Sequence, residues 1–349
     1  MARSTLRRFR QDRLPSPLIR VALWGAAAAV ALAVAGCGEQ SPLKPESDPA
    51  RDIAKLTWWM FGIAGVVFGG AVVMLLIGWL TRREEGLPFI GKRSNVETGA
   101  VVVFGIVIPV VVLIGVFAFA NLVVLDDTDA PKASSTELTV EVTGNQWFWE
   151  VRYPGTKAVT ANEIHIPVRT RVNLVGKTDD VIHSIWIPQL NRKIDTVPGH
   201  RNRILLYADK PGRYRGQCAE FCGLQHAHMS MYVFADPPER FRAWLRNMER
   251  PEAPPAGPSA RGGKRIFMAN QCASCHTIRG TAARGDIGPD LTHLRDRTTL
   301  AGLTIPNRGD YLLRWIRDPQ HFKPGNKMPA LGLSDAQIQK LVTYLEGLR

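Results

Sequence analysis

At 349 residues the chain has room for two or three domains. Hydrophobic residues make up an ordinary 45% of it, but they gather in three blocks before residue 126, and the remainder reads as soluble. A formal net charge of +13 points to an anionic partner or a membrane surface, and the lack of a basic reading helix or an aromatic-interleaved basic strand argues against nucleic acid.

The cysteines are Cys37, Cys218, Cys222, Cys272 and Cys275. An odd count in an exported chain ordinarily marks a free thiol. Here each cysteine falls in a motif, and none is left for a structural disulfide.

Residues 1–20 carry Arg3, Arg7, Arg8, Arg10, Arg13 and Arg20, and VALWGAAAAVALAVAG follows. A basic segment before an apolar run of this length reads as a secretory signal, too short for a span. It ends in VAGC, which is similar to the bacterial lipobox, so residues 1–36 are expected to be removed and Cys37 to carry lipid. The runs 57–80 and 99–125 contain no charged residue, and each exceeds the roughly 20 residues that cross a bilayer. The loop between them holds Arg82, Arg83, Lys92 and Arg93, which places it in the cytoplasm. Everything after residue 126 is then expected outside the plasma membrane, on its periplasmic face.

From about 137 to 236 the stretches ELTVEVTGNQWFWEVRY, EIHIPVRTRVNLVGKT and RNRILLYADKPGRYRG alternate β-branched and aromatic residues between Pro-Gly turns. Short strands at this spacing predict a β-sandwich or barrel. PPERFRAWLRNMERPEAPPAGPSA reads as a short helix and then a semi-rigid linker. Residues 260–349 read as mostly helical, near 263–271, 309–317 and 334–348, with Ser334 and Asp335 starting the last segment.

CAEFCGLQHAHM (218–229) gathers two cysteines, a glutamate, two histidines and a methionine, and His183 stands upstream in DDVIHSIWIP. Zinc takes Cys and His sets, but structural zinc rarely uses methionine. Thioether and thiolate ligands select copper. A single blue-copper site needs one cysteine, so this set has one too many. Two coppers resolve the surplus: two bridging thiolates, two histidines, one methionine and one oxygen, which a backbone carbonyl between the cysteines can supply.

This motif, C-x-E-x-C-x3-H-x2-M with HSIWIPQL upstream, resembles the copper A domain of cytochrome c oxidase subunit II, over residues 50–236. The resemblance implies a cupredoxin-like fold and side-chain ligands His183, Cys218, Cys222, His226 and Met229. It implies that His183 and Met229 serve one copper, and that His226 and the Glu220 carbonyl serve the other. The Glu220 carboxylate would face a magnesium site shared with subunit I, and His228 would stand outside the ligand set. GNQWFWE (144–150) is similar to the family's aromatic electron-input segment, which makes Trp147 the input residue; Phe148 and Trp149 read as packed strand aromatics. NVET (95–98) is similar to the mouth of the proton-uptake channel, which makes Glu97 a proton carboxylate. The family often continues with Ile-Trp, whereas Gly99 and Ala100 follow here.

CASCH (272–276) is the signature of covalent c-type haem attachment, with thioethers at Cys272 and Cys275 and His276 as proximal iron ligand. Zinc would need a second ligand pair at similar spacing. Gly263 and Phe267 precede the motif as in the first helix of class I cytochromes c, and GPDL (288–291) resembles the loop whose carbonyl orients the haem histidine. Met328 in NKMPA is expected as sixth ligand, because a thioether raises the iron potential; Met268, His293 and His321 are its rivals. This half resembles the cytochrome c fused to subunit II in caa-type oxidases.

The expected organisation is a signal peptide (1–36), an outer segment (37–56), a transmembrane hairpin (57–125), a dinuclear copper domain (126–236), a linker (237–259) and an all-α cytochrome c domain (260–349). Neither membrane run contains a histidine, so the chain cannot itself ligate the oxygen-reducing haem and copper. The resemblance implies an electron-input subunit. It takes electrons from an outside donor such as a cytochrome c or bc1 complex, through haem c and copper A, to haem a in subunit I. Subunit III and the haem a3/copper B centre complete an oxidase that reduces oxygen to water and pumps protons. The alternatives are the copper subunit of a nitric oxide reductase and a membrane-tethered copper chaperone, though a chaperone would need neither Met229 nor a haem. A quinol oxidase subunit is disfavoured because the copper ligands are all present.

Overall fold

In the computed structural model, residues 24–25, 38–81, 98–99, 101–124, 131 and 135–349 are described. Nearly all of the expected signal peptide lies outside the described residues, as do Cys37, the basic loop residues and Glu97. Helix α1 (Asp48–Thr81) begins before the apolar run, with Asp48, Arg51, Asp52 and Lys55 in its first turns. Trp58, Trp59 and Trp79 are exposed, and the helix rises about 31 Å between Trp58 and Trp79, close to the hydrocarbon thickness of a bilayer. Indole rings at both ends of such a span sit at the two membrane–water interfaces. Val103–Leu122 is also long and apolar enough to cross a membrane. Its α-helical part, α2 (Ile108–Phe119), lies between π-helical turns at Val103–Val107 and Ala120–Val124. Pro109 has no N–H to offer the carbonyl of Gly105, where the first wide turn sits.

The segment before α1 is tied to the β-domain. Glu46 N–H donates to the Gln189 carbonyl (2.9 Å), Ser47 Oγ to the Leu190 carbonyl (2.5 Å), and Arg51 pairs with Asp209. The β-domain has two sheets: β3 (Val159–Ala161), β2 (Phe148–Arg152), β1 (Leu138–Asn145), β5 (Val172–Thr178) and β8 (Asn202–Leu206) in one, and β4 (Glu163–Pro167), β10 (Ser230–Asp236), β9 (Gly212–Cys218), β6 (His183–Trp186) and β7 (Ile194–Thr196) in the other. β1 runs parallel to β5 and β4 parallel to β10, while the remaining pairs are antiparallel. Alternate residues turn inward: Val140, Val142, Trp149 and Val151 from one sheet, Ile185, Met231 and Val233 from the other. This is the expected cupredoxin-like sandwich. Helix α3 (Pro238–Met248) lays Phe241 and Met248 against the same core.

The second soluble domain is built from α4 (Gly257–Ala269), α5 (Cys272–Cys275), α6 (Tyr311–Arg317), α7 (Pro319–Phe322) and α8 (Asp335–Leu345). A two-stranded pair, β11 (Thr299–Leu300) with β12 (Ile305–Pro306), interrupts the helices. Ser334 and Gln337 form a capping box at the start of α8, as the Ser-Asp pair predicts. Helices α4 and α8 cross at Gly263, where a Cβ would lie 2.0 Å from the Lys340 carbonyl oxygen, so only glycine allows the approach. Phe267 meets Tyr344 edge-on at 6.1 Å one turn away. The linker is pinned at Glu252, whose carboxylate accepts from Tyr344 Oη (2.5 Å) and pairs with Lys264.

Candidate metal centre and haem cavity

His183 opens β6 and Cys218 closes β9. The antiparallel register sets Ile185 opposite Cys218, so these two strand ends lie side by side. The chain then loops through 219–225, makes a short 3-10 turn at His226–His228 and enters β10. Cys218 N–H donates to the Met229 carbonyl (2.8 Å) and closes the loop. Cys222 Sγ is consequently 3.8 Å from Cys218 Sγ, 3.8 Å from Met229 Sδ and 3.7 Å from His226 Nδ1. Ligand atoms of His183, Cys218 and Cys222 lie within 4.8 Å of one another, and all three residues are buried. Cys218 Sγ is 3.1 Å from the Glu220 carbonyl oxygen.

The electrostatics are those of a site built for positive charge. The hydrogen bond between the two cysteines holds Cys218 well below the usual thiol range, while Cys222 is pushed up. Burial pulls His183 down, but Cys218 and the Asp180 carboxylate more than offset it, and the imidazole ends above its ordinary value. His183 Nε2 sits 2.8 Å from Asp180 Oδ1, and its Nδ1 is buried with no hydrogen-bond partner among the described residues. That orphaned nitrogen beside two sulfurs is what a bound cation would satisfy. Two thiolates, thioether, imidazoles and a carbonyl form a donor set that fits copper.

Asp180 also accepts from the Gln146 backbone N–H (2.7 Å), which ties the Trp147 segment to His183. Burial raises the Asp180 carboxyl, but these bonds outweigh it and hold it below the usual range. The Glu220 carboxylate points outward, 44% exposed, 3.7 Å from Lys193 Nζ. His228 is exposed, with its Nδ1 2.7 Å from Gln225 Oε1, away from the sulfurs.

Trp147 is half-buried, and its Nε1–H donates to the Cys222 carbonyl (2.9 Å), which also accepts from Gln146 Nε2 (2.8 Å). Both neighbours are buried, as the strand reading has it: Trp149 in the sandwich core, and Phe148 on the opposite face of β2, against the cavity that Trp147 lines. The other side of Trp147 lines a largely apolar cavity with Cys272, Cys275, His276 and Met328. The cavity opens to solvent, and residues of both soluble domains line it.

His276 Nδ1 donates to the Pro289 carbonyl (2.8 Å), within the GPDL loop singled out from sequence, which leaves Nε2 free. Burial holds the imidazole below its ordinary range, so the free nitrogen keeps its lone pair. Of the candidate sixth ligands, Met328 lines the cavity; Met268 packs on the helical core, His293 bonds the Arg250 carbonyl (3.0 Å) and His321 is exposed. A wide apolar cavity with two thiols at one wall, a neutral imidazole and a thioether fits a haem.

Sequence reading missed the groups that join the two domains: Lys323, Gln225, Arg297, and Glu163 with Thr298. It also missed Asp180, three residues before His183, a spacing that suits a carboxylate behind a ligand histidine.

Residues 156–235 match the family model described as cytochrome C oxidase subunit II, periplasmic domain, and residues 260–349 match the cytochrome c model. These two domain families imply copper A in the first domain and haem in the second. The chain is 32% identical to cytochrome c oxidase subunit 2 of Alkalihalophilus pseudofirmus, over 91% of this chain and 94% of that protein. It is 30% identical to the Bacillus subtilis protein of the same name, over 92% and 96%. The crystal structure of the periplasmic domain of subunit II of cytochrome oxidase from Bradyrhizobium japonicum is 29% identical and covers 34% of this chain and 96% of that one, with a TM-score of 0.32. Two candidate spans, a copper A-type domain on the outer face and a fused cytochrome c domain thus form one chain, and that chain belongs to the cytochrome c oxidase subunit 2 family, as a subunit of an oxidoreductase complex.

Proposed function

We propose that this chain is the electron-input subunit of a caa-type haem-copper oxidase. It takes electrons from an outside donor such as a cytochrome c or bc1 complex, by way of a covalent haem c and a dinuclear copper A centre, to haem a of subunit I. Oxygen is reduced to water there, with proton pumping, in a complex that includes subunit III. The observation that carries this reading is Trp147: one side lines the cavity of Cys272, Cys275, His276 and Met328, and its indole N–H bonds the carbonyl of Cys222.

His183, Cys218, Cys222, His226, Met229 and the Glu220 carbonyl would hold the copper pair, and Cys272, Cys275, His276 and Met328 the haem. Bound there, these groups supply reversible one-electron storage. The chain's own residues do the rest. Asp180 fixes the His183 ring so that Nδ1 faces the sulfurs, and the Pro289 carbonyl fixes His276 so that Nε2 faces the cavity. The buried sandwich core around Cys218, Cys222 and Met229 keeps water from the sulfurs. Gln146 and Trp147 both hold the Cys222 carbonyl, so the loop keeps one shape.

On this reading the Glu220 carboxylate would face a magnesium ion shared with subunit I, Glu97 would serve proton uptake, Cys37 would carry a lipid anchor after removal of 1–36, and the domains would divide as 57–125, 126–236 and 260–349. The test is the composition of the purified complex. Two coppers and one covalent haem per chain, with oxygen as acceptor, support the reading. One copper, or nitric oxide as the only acceptor, sinks it.

A further inference from the structure

Lys323 belongs to the cytochrome domain and is only 3% exposed. Lysine is almost never fully buried without partners. Its Nζ donates across the domain boundary to the Trp147 carbonyl (2.8 Å) and the His228 carbonyl (2.9 Å), and within its own domain to the Ala301 carbonyl (3.3 Å). Burial pushes the ammonium down to about 7. An amine that has lost its proton still carries two N–H donors, enough for both cross-domain bonds.

The two cross-domain acceptors come from the two segments that frame the metal centre: the strand turn that carries Trp147 and the turn that leads into Met229. Lys323 also lines the haem cavity beside Met328. Further bonds surround it. Gln225 Nε2 donates to the Pro324 carbonyl, Ser230 N–H to the Gly302 carbonyl (3.4 Å), and Thr298 N–H and Oγ1 to Glu163 Oε1 (2.7 and 2.6 Å). Arg297 Nε reaches Thr160 Oγ1 (3.3 Å).

We propose that Lys323 is a positioning residue that locks the cytochrome domain onto the metal-binding loops and fixes the backbone of Trp147 at the haem cavity. Its importance for electron transfer rests on the Trp147 route above; the lock itself does not. The bonds to Trp147 and His228 run to main-chain oxygens, which cannot swing away as side chains can, and hydrogen bonds weaken steeply with misalignment. Movement of the cytochrome domain breaks both bonds together, and two backbone carbonyls lose their donor.

The test uses the intact membrane complex with Lys323→Met. Hydrogen exchange is followed in segments 144–150 and 226–229, together with haem-to-copper transfer after photoreduction. Exchange in both segments should rise by at least about tenfold, about 1.4 kcal/mol, and transfer should slow by a similar factor, with both optical spectra retained. A second variant keeps the lysine but crowds the same contact, because a Cβ on Gly302 would also lie 3.2 Å from Lys323 Nζ. Gly302 has φ +68°, and a Cβ there would lie 2.6 Å from the His228 carbonyl oxygen, so Gly302→Ala should force the domains apart and give the same release. Exchange within twofold of wild type in Lys323→Met overturns the lock. Loss of haem from Lys323→Met, with unchanged exchange in Gly302→Ala, overturns it too, because the lysine then serves only its own domain. Release of both segments with unchanged transfer upholds the lock and removes the Trp147 route instead.

Discussion

Trp147 Nε1 donates to the carbonyl of Cys222 over 2.9 Å, and the same Trp147 offers its own carbonyl to Lys323 of the cytochrome domain over 2.8 Å. One residue is thus bonded to the sulfur loop at its indole and to the haem-bearing domain at its backbone.

Trp147→Phe keeps an aromatic ring and removes the N–H. Gln146 still donates to the Cys222 carbonyl, so the loop should hold and copper content should not change. The lost hydrogen bond costs about 0.5–1.5 kcal/mol of stability. Haem-to-copper transfer, followed after photoreduction, should slow by about tenfold or more.

Met229 is fully buried among the sulfurs, and leucine is close to it in volume, so Met229→Leu should cost less than about 1.5 kcal/mol. Two thiolates and two imidazoles supply most of the metal affinity. Elemental analysis should still find two coppers, while the midpoint potential moves, because axial ligands tune potential more than they retain metal. Loss of copper would make the methionine structural.

The haem-free chain should be acid-sensitive at His276. Its imidazole lies below the ordinary 6.5 when folded, because it is buried. A depressed pKa means stability that is complete above about 6.5 and lost as pH falls, since the unfolded state takes up the proton first. In Cys272→Ala/Cys275→Ala protein, denaturant unfolding of the cytochrome domain should weaken below pH 6.5, by at most about 1.4 kcal/mol per pH unit. Adding His276→Phe should flatten that slope.

Ionic strength should separate the internal step from the external one. Residues 260–349 carry 14 Lys and Arg against 7 Asp and Glu, a basic surface that an acidic donor would meet. Donor reduction of the complex should slow as salt screens that attraction. Haem-to-copper transfer within the chain should not respond, because a short linker keeps the domains at an effective concentration in the millimolar range. The buried contacts at Lys323 and Glu163 add to that tether. Stopped-flow and photoreduction rates across one salt series test both halves.

The parts legible in the sequence are those whose chemistry demands local spacing. Cys218, Cys222, His226 and Met229 fall within one loop because one loop can wrap a metal, and CASCH is local because a single turn presents both thiols and the histidine. The apolar runs and strand alternation gave the domain classes for the same reason. His183 is visible as a histidine upstream of the loop, but its place in the ligand set comes only from the resemblance, since only the β6–β9 register brings it beside Cys218. The domain interface left no sequence signal. Lys323 meets Trp147 across 176 positions and Thr298 meets Glu163 across 135, and no periodicity marks a residue whose partner is a distant main-chain carbonyl. The small β11–β12 pair inside a domain read as all-helical was invisible for the same reason: each strand is two residues long.

In the proposed route electrons reach the metal centre through this chain's own cytochrome domain. Oxygen uptake by the complex bearing Cys272→Ala/Cys275→Ala, driven by an artificial reductant through the ordinary donor, tests it most directly. Uptake should fall at least about tenfold, to about 10% of wild type or less, a barrier of about 1.4 kcal/mol or more, while the copper spectrum is unchanged. Uptake at the wild-type level without the haem would mean that donors reach Trp147 directly, and would rule out the route through haem c.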